Sequence, residues 1–406
     1  MSERRLAVID LGSNSFRLVV FTWVRDLWWK RTDEVYESVR LGQGLDAAGC
    51  LQPEPMERAL ETIELFAHFV RATGVKEVRP VATSAIRDAT NQAELLEAAR
   101  RRAGLEIEVL SKEEEAYYGY LAVVNSTRLV NGVALDIGGG SMQLGHVSDR
   151  RLLDSCSWPL GAVRMTERFL EGEKTKPKQL KMLREHVRKE LESAAWLADA
   201  GKDGGRLAGI GGALRNLATA EQIENGLPSY GVQGYELRLD DLSDLVERLA
   251  DMSPSERGSV PGIKKERGDL ILAAAVVIEE VMKAGSFDTI ETTEEGLREG
   301  VFFSVLLEGR DPPLIEDLRG ASVLNLARQY HAEPAHTNHV SRLALELWDE
   351  LKGQGLHDGG PEERELLQAA ALLHDIGTTV DYDDHHKHSR YLVLHAELPG
   401  FTQRET

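Results

Sequence analysis

The sequence predicts an α/β protein: two lobes of similar design, followed by an all-α module. Three observations carry this expectation. Leu6-Ala7-Val8-Ile9-Asp10-Leu11-Gly12-Ser13-Asn14-Ser15-Phe16-Arg17-Leu18 is echoed 126 positions later by Gly132-Val133-Ala134-Leu135-Asp136-Ile137-Gly138-Gly139-Gly140-Ser141-Met142-Gln143-Leu144. Strands alternate with helices as far as residue 312, a pattern that gives a largely parallel or mixed sheet flanked by helices. Pro312-Pro313 then interrupts the chain, and the remainder reads as helix.

The first lobe reads as a strand and hairpin over 4–40, a helix over 53–73, a strand over 76–83, a helix over 91–103, a strand over 105–110 and a helix over 112–124. Pro53 and Pro55 mark a helix start and Gly74 a helix stop. The second lobe opens with the repeated motif and a further strand, then helices near 161–171 and 176–200. Leu207-Ala208-Gly209-Ile210-Gly211-Gly212 is a strand running into a glycine turn, with a helix expected from Ala213. The apolar stretch within 264–284 predicts a long helix buried on several sides, and 296–308 another. Beyond the prolines, helices are expected near 315–331, 335–353, 361–376 and 386–396. The division is therefore 1–124, 125–312 and 313–406, the last expected to be incomplete because it stops at Thr406 without a capping element.

Composition narrows the class. A chain of 406 residues with 42% hydrophobic and 28% charged residues is a soluble globular type, too long for one core. Glu3, Arg4 and Arg5 lead straight into a strand, so no signal peptide is read, and the apolar run Leu270 to Ile278 is too short to span a bilayer. Two cysteines, Cys50 and Cys156, offer no disulfide framework and fit a cytoplasmic protein. The net charge of −19 argues against nucleic acid as a partner. Residues 313–406 hold 8 Lys+Arg and 16 Asp+Glu, hence −8, which leaves −11 on the two lobes. A polyanionic ligand would need a local basic groove against that field. Its candidates are Arg17, Arg40, Arg87, Arg164, Arg215, Lys264, Lys265, Arg267 and Arg298, each of which also reads singly as a solvated surface charge.

Each copy of the repeat is an apolar strand ending in Asp, then a Gly/Ser turn. Small residues let backbone N–H groups approach an anion, and a strand-end Asp is a hard oxygen ligand suited to Mg²⁺. One such turn is also a plain hairpin; two copies point to phosphates and a metal held between lobes. Gly211 and Gly212 add a helix N-terminus, where donors and dipole favour an anion. Ser111 and Glu114 form a capping box, which explains Glu114 without any function. Glu115 lies about 100° further round the helix and is either one more first-turn acid or a carboxylate able to deprotonate water. Arg87, after a strand, is either a phosphate clamp or the partner of a nearby acid.

Taken together, Asp10 to Ser15, Thr83-Ser84-Ala85-Ile86-Arg87, Ser111 with Glu114-Glu115-Ala116, Asp136 to Ser141 and Leu297-Arg298-Glu299-Gly300-Val301 resemble the exopolyphosphatase/guanosine pentaphosphate phosphohydrolase family, within the superfamily of actin, sugar kinases and heat-shock ATPases. The resemblance implies two ribonuclease H-like, actin-like ATPase lobes and a C-terminal HD-like helical module. It implies Mg²⁺-assisted hydrolysis of a terminal phosphoanhydride, with K⁺ as an activator and inorganic polyphosphate or guanosine pentaphosphate as substrate. By resemblance Glu115 is the general base, while Asp10, Asp136 and Glu115 are the metal-associated acids. Ser13, Asn14, Arg87, Gly138, Gly139, Gly140 and Ser141 become phosphate contacts, to which the turn at Gly211 and Gly212 is added. Family members also form homodimers.

Two features depart from that pattern. The family places a Glu two residues after the Ser of the second loop, where this chain has Gln143, and an amide can neither carry charge nor accept a proton. In the tail, His336, then His374-Asp375, then His385, His386 and His388 suggest a helical metal-dependent phosphohydrolase set that stops before its final Asp. The expectation there is a degenerate module, since metal sites generally need three or more protein ligands. The resulting expectation is an exopolyphosphatase, with guanosine pentaphosphate hydrolysis as the close variant. A sensor that binds phosphate polymers without turnover, suggested by Gln143, and a phosphotransferase of the same superfamily are the readings from other classes.

Overall fold

A computed structural model describes residues 2–170, 172–228 and 230–406. The first sheet contains β1 (Arg4–Leu11), β2 (Phe16–Val24), β3 (Trp28–Glu37), β4 (Glu77–Ala82) and β5 (Glu108–Val109), in the spatial order β3-β2-β1-β4-β5. β1, β4 and β5 are parallel, with Leu6 beside Glu77 and Leu11 beside Ala82. Helices cover such strands on both faces, so Leu6 to Ile9 are buried without alternation. Helices Pro53–Thr73 and Gln92–Ala103 supply that cover, and Ile63, Phe66, Leu95 and Ala99 close the core beneath β1.

The second sheet contains β6 (Gly132–Ile137), β7 (Met142–Ser148), β8 (Arg151–Trp158), β9 (Arg206–Ile210), β10 (Glu236–Arg238) and β11 (Thr289–Thr292), in the order β10-β11-β9-β6-β7-β8. β6 is antiparallel to β7 and parallel to β9, which is parallel to β11. From β8 to β11 this is the order of the first sheet repeated, with β10 added at the edge. The sequence repeat thus corresponds to β1-turn-β2 and β6-turn-β7, the hairpin at the centre of each sheet. Helix Ile271–Gly285 forms the middle of the second core, and its polar exceptions Glu279 and Glu280 are paired with Arg184, Arg188 and Lys283. The long helix expected over 264–284 is shorter than its pattern: Lys265–Arg267 is a 3-10 turn, because the uninterrupted apolar run begins only at Leu270. Likewise the helix expected over 176–200 breaks into Pro177–Leu191 and Leu197–Ala200.

Helix Lys112–Val124 is buried between these elements, starting at the Ser111 capping box, where Ser111 Oγ accepts from Glu114 N at 3.1 Å and Glu114 Oε2 accepts from Ser111 N at 2.8 Å. Helix Leu297–Leu306 packs on it backbone to backbone at Gly300: a Cβ there would stand 1.9 Å from the Tyr118 carbonyl oxygen. Phe302, further along the same helix, stacks on Phe21 of β2 with ring centroids 4.2 Å apart.

Thr22–Lys30 and Ile315–Thr406 form a second compact unit. Its helices are Leu318–Gln329, Pro334–Gly353, Pro361–Leu373 and His385–Leu394, around a modest core of Val323, Leu326, Leu373, Ile376, Leu398 and Phe401. The hairpin end joins this unit through backbone groups: Trp29 N donates to Asn325 Oδ1 at 2.8 Å, Gln329 Nε2 to Trp29 O at 2.8 Å and Arg328 Nη1 to Leu27 O at 2.8 Å. No described helix is long and apolar enough to cross a membrane.

The helix contact at Gly300 leaves no room for a methyl group and cannot yield without moving backbone. Gly300→Ala is expected to lower unfolding free energy by about 1–3 kcal/mol or more, read as a lower urea midpoint at unchanged slope.

Candidate active site

The two Asp-tipped hairpins meet at a cleft with a cavity volume of about 120 Å³. Its lining includes Asp10, Ser13, Asn14, Glu115, Asp136, Gly138, Gly139, Ser141, Gly211 and Gly212, so nearly all the residues singled out from the sequence come together. The loops touch at Gly140, where a Cβ would lie 2.6 Å from Ser84 Oγ and 2.7 Å from Ser13 Oγ. Only glycine permits that approach. Ser13 Oγ and Ser84 Oγ are themselves 3.1 Å apart.

Asn14 is 6% exposed, yet neither polar atom of its side chain has a partner among the described residues. An orphaned buried amide costs about 1–3 kcal/mol. That cost disappears if the loop closes on a ligand presenting both an acceptor and a donor or cation.

Glu115 is 5% exposed and gripped at both oxygens. Oε2 accepts from Arg87 Nη1 at 2.6 Å, and Oε1 accepts from Ser141 Oγ at 3.2 Å. Gln143 Nε2 donates to Ser141 Oγ at 2.9 Å, so amide, hydroxyl and carboxylate form a directed chain. Burial raises the Glu115 pKa above the ordinary carboxylate value; the Arg87 charge and the bonds from Arg87 and Ser141 oppose that rise. Arg87 also donates to Leu110 O at 3.0 Å and stands 3.7 Å from Asp88. It does not line the cleft, and its Nη1 is shared between Glu115 and the Leu110 carbonyl.

Asp10 ends β1 and sits 3.3 Å from Arg298 Nη1. Asp136 lies on β6 opposite Gln143 of β7. Its carboxyl pKa is pushed up to about 8, first by burial and then by the negative charges of Glu115 and Asp10. Asp10 is likewise raised, chiefly by burial. The three acids nevertheless do not converge within 4.8 Å as the tail cluster His336, His374 and Asp375 does. They form a divided carboxylate field rather than a closed cage.

Four arginines, Arg17, Arg215, Arg267 and Arg298, line the same cleft. Burial lowers the Arg17 pKa to about 10, and the charges of Arg298, Arg215 and Arg267 add to that effect. Arg267 is lowered by burial and then by Arg215. Cations that disfavour one another's charge form a site for an anion. The other basic candidates serve elsewhere: Arg40 pairs with Asp269 at 2.9 Å, Arg164 with Asp88 at 3.0 Å, Lys264 is exposed with its ammonium over the Tyr36 ring, and Lys265 is exposed. Two buried lining or neighbouring groups lay within the matching stretches but were given no role from the sequence: Ser84, and Glu299, which caps helix Leu297–Leu306 by accepting from Gly296 N at 2.7 Å.

Paired α/β lobes with a glycine-walled cleft lined by both acids and arginines define a protein that handles phosphate groups. Residues 32–309 match the Ppx/GppA phosphatase family and residues 318–406 match Ppx/GppA phosphatase domain III. Among solved structures, the Aquifex aeolicus Ppx/GppA family member is similar at 28% identity and a TM-score of 0.64, over 76% of this chain and 100% of that one. An exopolyphosphatase from Cytophaga hutchinsonii is similar at 26% identity and a TM-score of 0.67, over 75% of this chain and 98% of that one. The chain belongs to the Ppx/GppA phosphatase family.

The raised pKa of Asp136 has a consequence for stability. A carboxyl whose folded pKa exceeds its unfolded value stabilises the fold while protonated, and that contribution is lost as pH climbs from about 4 toward about 8. In metal-free protein, Asp136→Asn is expected to raise stability at pH 8 by about 1–3 kcal/mol, allowing for solvent in the cleft. Urea denaturation should show the difference shrinking to nothing near pH 4.

Proposed function

We propose that the cleft hydrolyses the terminal phosphoanhydride of inorganic polyphosphate, releasing orthophosphate. The observation that carries this reading is the buried Glu115 carboxylate, fixed by Arg87 and Ser141 on the wall of a cleft whose other walls are arginine and glycine. The similarity to a Cytophaga hutchinsonii exopolyphosphatase supports the choice of substrate. Guanosine pentaphosphate presents the same kind of terminal anhydride and is the comparison substrate.

In this mechanism Glu115 accepts a proton from water as the water oxygen attacks the terminal phosphorus. The bond from phosphorus to the bridging oxygen breaks, and the shortened chain leaves as a phosphate oxyanion. Backbone amides of the loops at Gly12 and Gly138, with the side chains of Ser13, Asn14 and Ser141, orient the terminal phosphate in line with that water. Arg17, Arg215, Arg267 and Arg298 hold the phosphoryl oxygens, and burial multiplies the worth of each such contact. Gln143 keeps the Ser141 hydroxyl turned toward Glu115, a donor role for which a carboxylate is unsuited.

The donor set suits Mg²⁺, because Asp10 and Asp136 offer hard oxygens whose repulsion a divalent cation relieves, and Mg²⁺ commonly takes one or two carboxylates plus substrate phosphate and water. Asp10 and Asp136 would hold it, with Glu115 close by, and it would supply neutralisation of charge on the phosphoryl oxygens. K⁺ activation and the binding of a second copy of the chain remain part of the proposal by family likeness.

Phosphate release from long-chain polyphosphate in Mg²⁺ tests the reading. Glu115→Gln is expected to lower kcat by about 10²–10⁴-fold with little change in KM. Wild-type rates in that variant would remove Glu115 from its role. Tight polyphosphate binding with no turnover in the wild-type protein would turn the reading to a sensor instead.

A further inference from the structure

The helical unit carries a second cluster of metal-ligating groups, apart from the cleft chemistry. His336 lies in the first turn of helix Pro334–Gly353, His374 and Asp375 follow helix Pro361–Leu373, and His385 opens helix His385–Leu394. Three atoms face one another: His336 Nε2 and His374 Nε2 are 3.3 Å apart, and Asp375 Oδ2 is 3.0 Å from the first and 3.2 Å from the second. First-row metals with bonds of about 2.0–2.1 Å have ligand–ligand edges of about 2.9 Å when octahedral and about 3.3 Å when tetrahedral. The triangle falls in that interval.

The rings are also oriented as ligands. His374 Nδ1 is 2.8 Å from Ala371 O, and His385 Nδ1 is 3.0 Å from Tyr382 O. A backbone carbonyl can only accept, so each Nδ1 carries the proton. In neutral His374 this leaves the Nε2 lone pair aimed at the triangle, the arrangement usual for a metal-ligating histidine. Two imidazole nitrogens and a carboxylate oxygen this close, two of them lone-pair donors, repel each other unless a cation or extra protons intervene.

His385 does not complete the triangle. Its Nε2 is 3.3 Å from Asp375 Oδ1, the carboxylate oxygen that faces away from the other two histidines. That is the position of a group that steadies a ligand from outside. The side chains are a quarter to a half exposed, so the site is open to an ion and leaves room for exchangeable water or a phosphate oxygen.

The geometry points to a divalent transition-metal site in the helical unit, with His336 Nε2, His374 Nε2 and Asp375 Oδ2 as its three protein ligands and His385 as a positioning residue on Asp375. Two imidazoles select Zn²⁺, Co²⁺ or Ni²⁺ over the Mg²⁺ suited to the carboxylates of the cleft. The ion ties the start of helix Pro334–Gly353 to the end of helix Pro361–Leu373, and His385 links the start of a third helix to it through Asp375, in a unit whose core is small.

Chelator-stripped full-length protein, titrated with Zn²⁺ by calorimetry in excess Mg²⁺, tests this. One Zn²⁺ per chain is expected, and Co²⁺ bound there is expected to give visible absorption bands that Zn²⁺ displaces. The His336 side chain is half-exposed, so His336→Ala keeps its fold by circular dichroism while losing affinity at least 100-fold; His385→Ala loses about 10–100-fold. Unchanged Zn²⁺ stoichiometry and affinity in His336→Ala would overturn the site. A loss in His385→Ala as complete as in His336→Ala would overturn the three-ligand assignment.

Discussion

The cleft depends on how one buried carboxylate is held. Desolvation pushes the Glu115 pKa up and favours its protonated form. Arg87 and Ser141 counter that by holding its two oxygens, and each comes from a different part of the sequence: Arg87 follows β4, and Ser141 precedes β7. This grip on Glu115 therefore exists only when both lobes are folded and their loops abut at Gly140. The proposed phosphate ligand and divalent cation would relieve the remaining tension, since the arginines repel one another and the Asp136 pKa is raised first by burial and then by its acidic neighbours.

Duplication explains the symmetry of this arrangement. The same strand order appears in both sheets, and in both the central hairpin delivers an Asp and a tight turn to one end. This much was legible from the residues, because buried parallel strands are written as unbroken apolar runs and the turns after them as glycine and serine. The family likeness then covered nearly the whole chain.

What escaped the sequence is what depends on distant partners. Glu115 shares its turn with a capping box, so from local pattern alone it read as one more first-turn acid and only the family resemblance singled it out; its burial and the grip of Arg87 depend on distant partners. For Arg87 two readings stood open, and the structure pairs it with an acid 28 positions away rather than placing it on the cleft wall. Arg267 seemed part of a long helix; the charged stretch before Leu270 folds instead as a turn that carries it to the cleft. The hairpin end Thr22–Lys30 joins the helical unit through bonds some 300 positions apart in sequence, which no local pattern announces. His336, His374 and Asp375 were named from the sequence, but that three of their atoms face one another depends on how helices meet, not on spacing.

The central claim is that Arg87 holds the Glu115 pKa down against burial, and the acid limb of kcat/KM reads this directly. Arg87→Met removes the charge that lowers the Glu115 pKa. With polyphosphate and saturating Mg²⁺, the limb is expected to move to higher pH by a unit or more, with activity partly recovered under alkaline conditions. A limb that stays at the wild-type pH while activity falls uniformly would contradict the account.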